Sequence, residues 1–397
     1  MRYSVITLAL AMCTFPSCNS DGFEPLEYQV FEEVLFERKV NFQDMIDDVM
    51  KHYGESAGGF EEFEALQEKV RKLAKEYTIY GIRYKTSDHE GKPISASGLV
   101  YFPESFRKRG VLEIIPVTKS RGSCGTVNRS IPEAVAGCTG YVMIIPDLPG
   151  CGITDDYAIC YLQHDLIASV AADMRKAASE FLWNRRRHLL GNQDYLFGYS
   201  LGGSGVLALA RHYVKHPELG VKVRELWLGA GAYFPRQALE KILEAKTVNY
   251  AICPNILYSL DWYEKLGIDF REVFTGELKE HYEELVTGDV PIDTLSKWFG
   301  PSLENYMNMD FFDDGSEGWR KIRSSLETKD IPIDFKPSFP VYLYQSYDDK
   351  TIPHALSDSL NARLTRVGAN VSYKKTTGTH HNTGFMIEGD LAEHLAL

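Results

Sequence analysis

The sequence predicts an α/β protein in which a mostly parallel sheet is covered by helices on both faces. Short apolar runs, Val111 to Val117, Tyr141 to Ile145, Tyr195 to Tyr199, Val223 to Leu228 and Val341 to Gln345, alternate with longer stretches of helical period such as Leu166 to Leu182 and Gly205 to Val214. Runs of this kind are what strands buried on both faces require. The chain has 397 residues, 44% of them hydrophobic, which is enough for a large core. A Gly-x-Ser-x-Gly string, Gly198 to Gly202, also stands at a junction between a strand and a helix.

Met1 to Ser17 holds one basic residue, Arg2, then the apolar run Val5 to Met12, then Pro16 and Ser17. This pattern predicts a signal peptide over 1–17, too short to span a bilayer. Cys18 follows a small residue and precedes Asn19-Ser20-Asp21-Gly22. That arrangement resembles a bacterial lipoprotein signal, whose cysteine is acylated after cleavage; plain secretion is the alternative. Residues 18–41 are then expected to be a solvated tether. The expected location is the bacterial outer membrane, facing periplasm or cell surface, with lipid on Cys18 as the only membrane contact.

Five cysteines follow Cys18: Cys124, Cys138, Cys151, Cys160 and Cys253. Export permits disulfides, and Cys151 with Cys160, in one loop, is the expected bridge. Neither Cys-x-x-Cys nor His-Glu-x-x-His occurs, so no metal site is expected.

The first part of the core is assigned to 42–232. It opens with two helical stretches, marked by Met45, Ile46, Val49 and Met50 and by Phe63, Leu66, Val70 and Leu73 at spacings of three and four. A hairpin follows, Thr78 to Thr86 and Ile94 to Phe102 around Asp88-His89-Glu90-Gly91, and places antiparallel strands at one sheet edge. Lys plus Arg number 43 against 55 Asp plus Glu, a net charge of −12 without a basic stripe, which excludes a nucleic-acid footprint. The run Arg185-Arg186-Arg187-His188 ends a helix, where cations complement the dipole.

A five-residue string recurs by chance, so its setting carries the weight. The strand Asp194 to Tyr199 and the following helix place Ser200 on a sharp turn at a helix N-terminus. Glycines at 198 and 202 make room for that turn, and the helix end favours developing negative charge. Partners of such a serine follow in the order acid, then histidine. Of the late histidines, His354 and His394 fit surface roles, leaving His380 or His381 just beyond the strand-like Val371 to Lys375. The acid belongs at the end of Pro340 to Gln345, where Asp348 and Asp349 both stand and Asp349 is favoured. An oxyanion hole would take the backbone N–H of Leu201 and a donor from Thr118-Lys119-Ser120-Arg121-Gly122, with Lys119 as the candidate.

These features resemble the α/β-hydrolase superfamily, and within it secreted lipases and esterases of the Candida antarctica lipase A type with their bacterial relatives. The resemblance rests on Tyr84-Lys85-Thr86 with Gly91 and Ala96-Ser97-Gly98, and on Gly140-Tyr141-Val142 leading to Pro146-Asp147-Leu148-Pro149-Gly150. It continues through Tyr161-Leu162-Gln163-His164-Asp165 and Gly198 to Gly203, and covers residue 76 onward. It implies the α/β-hydrolase fold, ester hydrolysis without cofactor or metal, and a triad of Ser200, Asp349 and His380. It departs at the loop after Val111 to Val117, where the usual His-Gly pair is missing, and at Leu201, where a polar residue is more usual.

From Ser200 to Asp349 is 149 residues, whereas two strand-plus-helix units need roughly 60. The surplus predicts a helical cap over 233–331, rich in aromatics such as Tyr250, Tyr258, Trp262, Trp298 and Phe311, before the core resumes over 332–397. The expected function is an exported serine hydrolase acting on a small-molecule ester. An acyl or prolyl-type serine peptidase on the same fold, and a noncatalytic surface lipoprotein that binds a ligand, are the alternatives. Oligomeric state is not legible.

Overall fold

The computed structural model describes residues 24–53, 67–68, 70–105 and 108–396. The expected signal peptide, Cys18 and most of the second early helical stretch therefore lie outside the described residues.

Among the described residues nine strands form one sheet in the order β1-β2-β3-β5-β4-β6-β7-β8-β9. The antiparallel edge comprises β1 (Phe31–Val40), β2 (Tyr77–Ser87) and β3 (Pro93–Pro103), and β3 is also antiparallel to β5 (Val142–Pro146). Parallel pairing joins β5, β4 (Val111–Ile115), β6 (Gln193–Tyr199), β7 (Lys222–Gly229), β8 (Val341–Ser346) and β9 (Val371–Thr376). All five residues of β4 and of β5 are buried, which is why their apolar runs mark the sheet centre.

Helices cover both faces. On one side α1 (Phe42–Tyr53) and the C-terminal α11 (His380–Ala396) pack with Ile79, Leu112 and Phe197. On the other, α2 (His164–Arg186), α3 (Leu201–Lys215) and α10 (Ala355–Arg366) pack with Ile82, Leu196 and Leu343. Between β7 and β8 the chain inserts α4 (Pro235–Ala245), α5 (Cys253–Glu264), α6 (Phe270–Val273), α7 (Gly276–Leu285), α8 (Ile292–Phe299) and α9 (Glu317–Glu327). Tyr306 and Phe311 are buried in the core, whereas Trp298 is 60% exposed.

The tether expectation is corrected for residues 24–41. The chain lies along α2 from Glu24, which accepts the Trp183 indole N–H, and from Leu26, which exchanges two hydrogen bonds with Asn184. The buried Glu180 carboxylate accepts N–H bonds from Gln29, Val30 and Phe31 at 2.9–3.1 Å. Phe31 stacks on Phe181, and the chain continues as β1 against β2. One acceptor 150 residues away thus turns an acidic segment into an edge strand. The expected Cys151–Cys160 bridge is also corrected: both thiols are free and buried, and the thiol that hydrogen-bonds Cys151 belongs to Cys124.

A buried charged cluster lies beneath the loop after β4. Glu133 pairs with Lys119 at 3.1 Å, with side chains 1% and 3% exposed, and its Oε1 accepts the Val117 N–H at 3.1 Å. Glu388 of α11 is buried beside them. Burial, and secondarily the Glu133 charge, push its carboxyl from 4.5 up to about 8, against the pull of Lys119.

Two outcomes are expected. Phe31→Ala destabilises the fold by about 3 kcal/mol in urea unfolding, whereas a residue in a solvated tether would leave the midpoint unchanged. The folded protein keeps the Glu388 proton to about pH 8 while the unfolded chain releases it near 4.5, so its stabilising contribution is present below pH 4.5 and fades as pH rises to about 8. Glu388→Gln removes that loss. Its urea midpoint should exceed that of the parent protein above pH 8, with the advantage gone at pH 4.5.

Candidate active site

Ser200 links β6 to α3 with φ 58° and ψ −123°, a region that side chains other than glycine rarely enter. The turn is held by its surroundings. The Ser200 N–H donates to Gly229 O at 3.0 Å, and the Gly203 N–H donates to Ser200 O at 2.9 Å. A Cβ at Gly198 would lie 2.1 Å from Gly202 O, and one at Gly202 would lie 2.1 Å from Ile115 O. These contacts are with backbone, so both glycines are required by close packing. Leu201 is the first residue of α3, and its N–H has no acceptor within the helix.

The end of β8 supplies the acid. Asp349 is 5% exposed, and its Oδ1 accepts the Thr351 and Ile352 N–H groups, each at 2.8 Å. Its Oδ2 accepts from His380 Nδ1 at 2.5 Å and from Gln345 Nε2 at 3.3 Å. Because a carboxylate only accepts, Nδ1 carries the proton and Nε2 presents its lone pair. Nε2 lies 2.9 Å from Ser200 Oγ. A continuous chain of contacts therefore runs from Ser200 through His380 to Asp349. The Tyr199 hydroxyl donates to His380 O at 2.6 Å, which fixes the histidine from the strand that carries the serine.

Adjacent residues take different parts. Asp348 turns away from the imidazole and accepts the Gly378 N–H at 2.9 Å, shaping the loop before His380. Gly378 has φ +102°, and Asn382 Oδ1 accepts the Thr379 N–H and hydroxyl. His380 is the first residue of α11, so it opens a helix where the sequence indicated a loop. The His381 side chain lies outside what is described.

Ser200 and His380 open on a cavity of about 490 Å³. Its wall includes Val117, Thr118, Ser120, Gly122 and Ser123 from the loop after β4, and Tyr250, Ile252 and Ile292 from the helical insertion. Lys119 faces elsewhere: its ammonium is held by Glu133 and does not reach the cavity wall. The flanking amides are already engaged, that of Val117 by Glu133 and that of Ser120 by Ser123 Oγ at 2.9 Å. Sequence reasoning missed Glu133, whose buried position inside the short 3₁₀ turn Pro132–Gly137 carries no local signature. Of the insertion aromatics named above, Tyr250 lines the cavity; Tyr306 and Phe311 serve the core.

No family model and no curated protein sequence matches the chain. Solved structures do. A Legionella pneumophila protein described as a hydrolase aligns with TM-score 0.74 at 20% identity, over 92% of this chain and 97% of that one. The rice cell wall degrading esterase LipA of Xanthomonas oryzae aligns with TM-score 0.72 at 20% identity, over 90% and 96%. Candida antarctica lipase A in its closed state aligns with TM-score 0.55 at 11% identity, over 93% and 83%. Together with the nine-stranded sheet, these alignments show that the chain has the α/β-hydrolase fold, in a form similar to that of Candida antarctica lipase A and bacterial hydrolases.

Proposed function

We propose that this protein is an exported serine hydrolase that cleaves carboxylic esters through an acyl-enzyme. The observation that carries the reading is the unbroken contact from Ser200 Oγ to His380 Nε2 and from His380 Nδ1 to Asp349.

In this reading His380 takes the Ser200 proton as the hydroxyl attacks the ester carbonyl, and Asp349 stabilises the resulting imidazolium. The negative charge on the former carbonyl oxygen meets the Leu201 N–H at the N-terminus of α3 and a backbone N–H from the loop after β4. His380 then returns the proton to the leaving alcohol. Water, deprotonated by the same imidazole, releases the acid and restores the serine. The buried acid, anchored by two backbone N–H groups, keeps the imidazole in the tautomer this sequence of transfers needs. The helical insertion walls the cavity and limits water around the charged intermediate. Lipid attachment at Cys18 would hold the enzyme at a membrane surface and belongs to the same proposal.

The peptidase alternative shares these groups, and the substrate separates the two. Nitrophenyl esters of graded acyl length should be hydrolysed while peptide anilides are left intact; turnover of anilides without esterase activity would favour the peptidase. A noncatalytic binding protein would turn over neither. Ser200→Ala should abolish labelling by a fluorophosphonate and lower kcat by on the order of 10⁴–10⁶-fold, and Asp349→Asn should lower kcat by about 10⁴-fold. Circular dichroism of both variants should match the parent protein. Undiminished labelling of Ser200→Ala would show that another residue is the nucleophile.

A further inference from the structure

Three of the buried cysteines gather beside the wall of the cavity. Cys124 follows the turn Arg121–Ser123, whose Gly122 and Ser123 face the cavity, and Cys151 precedes the turn Gly152–Thr154. Cys160 lies farther along the same loop. Cys124 and Cys151 are 2% and 4% exposed.

Cys124 Sγ accepts the Gly152 N–H at 3.1 Å and donates to Arg121 O at 3.0 Å. The Gly152 nitrogen lies about 2.4 Å from the Cys151 Cα across two covalent bonds. Adding the 3.1 Å hydrogen bond puts the Cys124 sulfur within about 5.5 Å of that Cα. The Cys124 thiol also hydrogen-bonds the Cys151 thiol, so the two sulfurs already face each other. Both flanking segments are fixed through one carboxylate: Asp147 accepts the Ser97 hydroxyl at 2.7 Å, the Thr126 N–H at 3.3 Å and the Thr126 hydroxyl.

We propose that Cys124 and Cys151 form a disulfide when the chain folds in an oxidising compartment. The oxidant is an exchanging disulfide. One thiolate attacks it and releases a first thiol; the second thiolate then attacks the mixed disulfide and releases another. Two protein thiols and one small disulfide thus become one protein disulfide and two small thiols. The bond ties the Arg121–Ser123 turn, and with it one wall of the cavity, to the segment after β5. The neighbouring Cys124 thiol, then burial, push the Cys151 thiol well above its ordinary value, so exchange is slow once the fold has closed. The bridge therefore forms during folding and is shielded afterwards. Nothing in this inference depends on the hydrolytic reading.

The test is refolding of the reduced, denatured chain in a mixture of reduced and oxidised glutathione, followed by acid quench, alkylation and peptide mapping. The expected product joins the Cys124 and Cys151 peptides and leaves Cys138, Cys160 and Cys253 alkylated. The bridge closes a loop of 28 residues, from 124 through 151, and should raise the melting temperature by about 4 °C over the fully reduced protein. Cys160→Ser should keep both the cross-link and the rise, whereas Cys151→Ser should lose both. Recovery of all five thiols alkylated, or of a Cys151–Cys160 peptide, would overturn the proposal. Mapping of the unsubstituted protein decides it even if a variant does not fold.

Discussion

The turn at Ser200 is the constraint on which the site depends. Its φ of 58° is held because the chain there is packed against backbone, with Gly229 O receiving the Ser200 N–H and Gly202 lying against Ile115 O. Three central strands, β4, β6 and β7, therefore fix one side chain. If they moved apart, the residue would relax toward an ordinary conformation and its hydroxyl would leave the imidazole. The strain is local, and a buried parallel sheet is stiff enough to bear it.

The same sheet brings distant segments to the serine. Parallel strands present their C-terminal ends on one edge, so the loop after β4, the elbow after β6 and the turn after β8 meet there. Each is braced by its own buried polar group: Glu133 holds Val117, Thr351 and Ile352 hold Asp349, and Tyr199 holds His380. Buried polar atoms must find partners. Here those partners are the backbone groups whose positions set the geometry around Ser200 and His380.

Glu133 and Glu388 extend this bracing to the opposite face. Two carboxyl groups and one ammonium share a buried region that connects the loop after β4 with the helix opened by His380. One carboxyl stays protonated because water is excluded and its neighbour already carries charge. Loop and helix therefore feel the ionisation of the same cluster.

Much of this was legible in the sequence, for physical reasons that differ between elements. The strands β4 to β8 announce themselves because burial on both faces demands apolar runs, and Gly198, Ser200 and Gly202 because only glycine clears the neighbouring backbone. The edge strand β1 does not. Its Glu32, Glu33, Glu37 and Lys39 reflect a face left to solvent, and its anchor, Glu180, is about 150 residues away. Asp348 and Asp349 are equivalent in composition, and only the turn they occupy aims one at the imidazole and the other at Gly378. Lys119 resembles an available donor until Glu133 draws its ammonium inward, and Cys151 is nearer in sequence to Cys160 yet meets Cys124. The sequence by itself determined the layered sheet, the serine on its strand-to-helix turn and the short set of residues that could meet it, because periodicity and steric exclusion are local. The tertiary structure alone decided which carboxylate, which histidine and which thiol come into contact, because a contact between remote residues depends on the path of the chain between them.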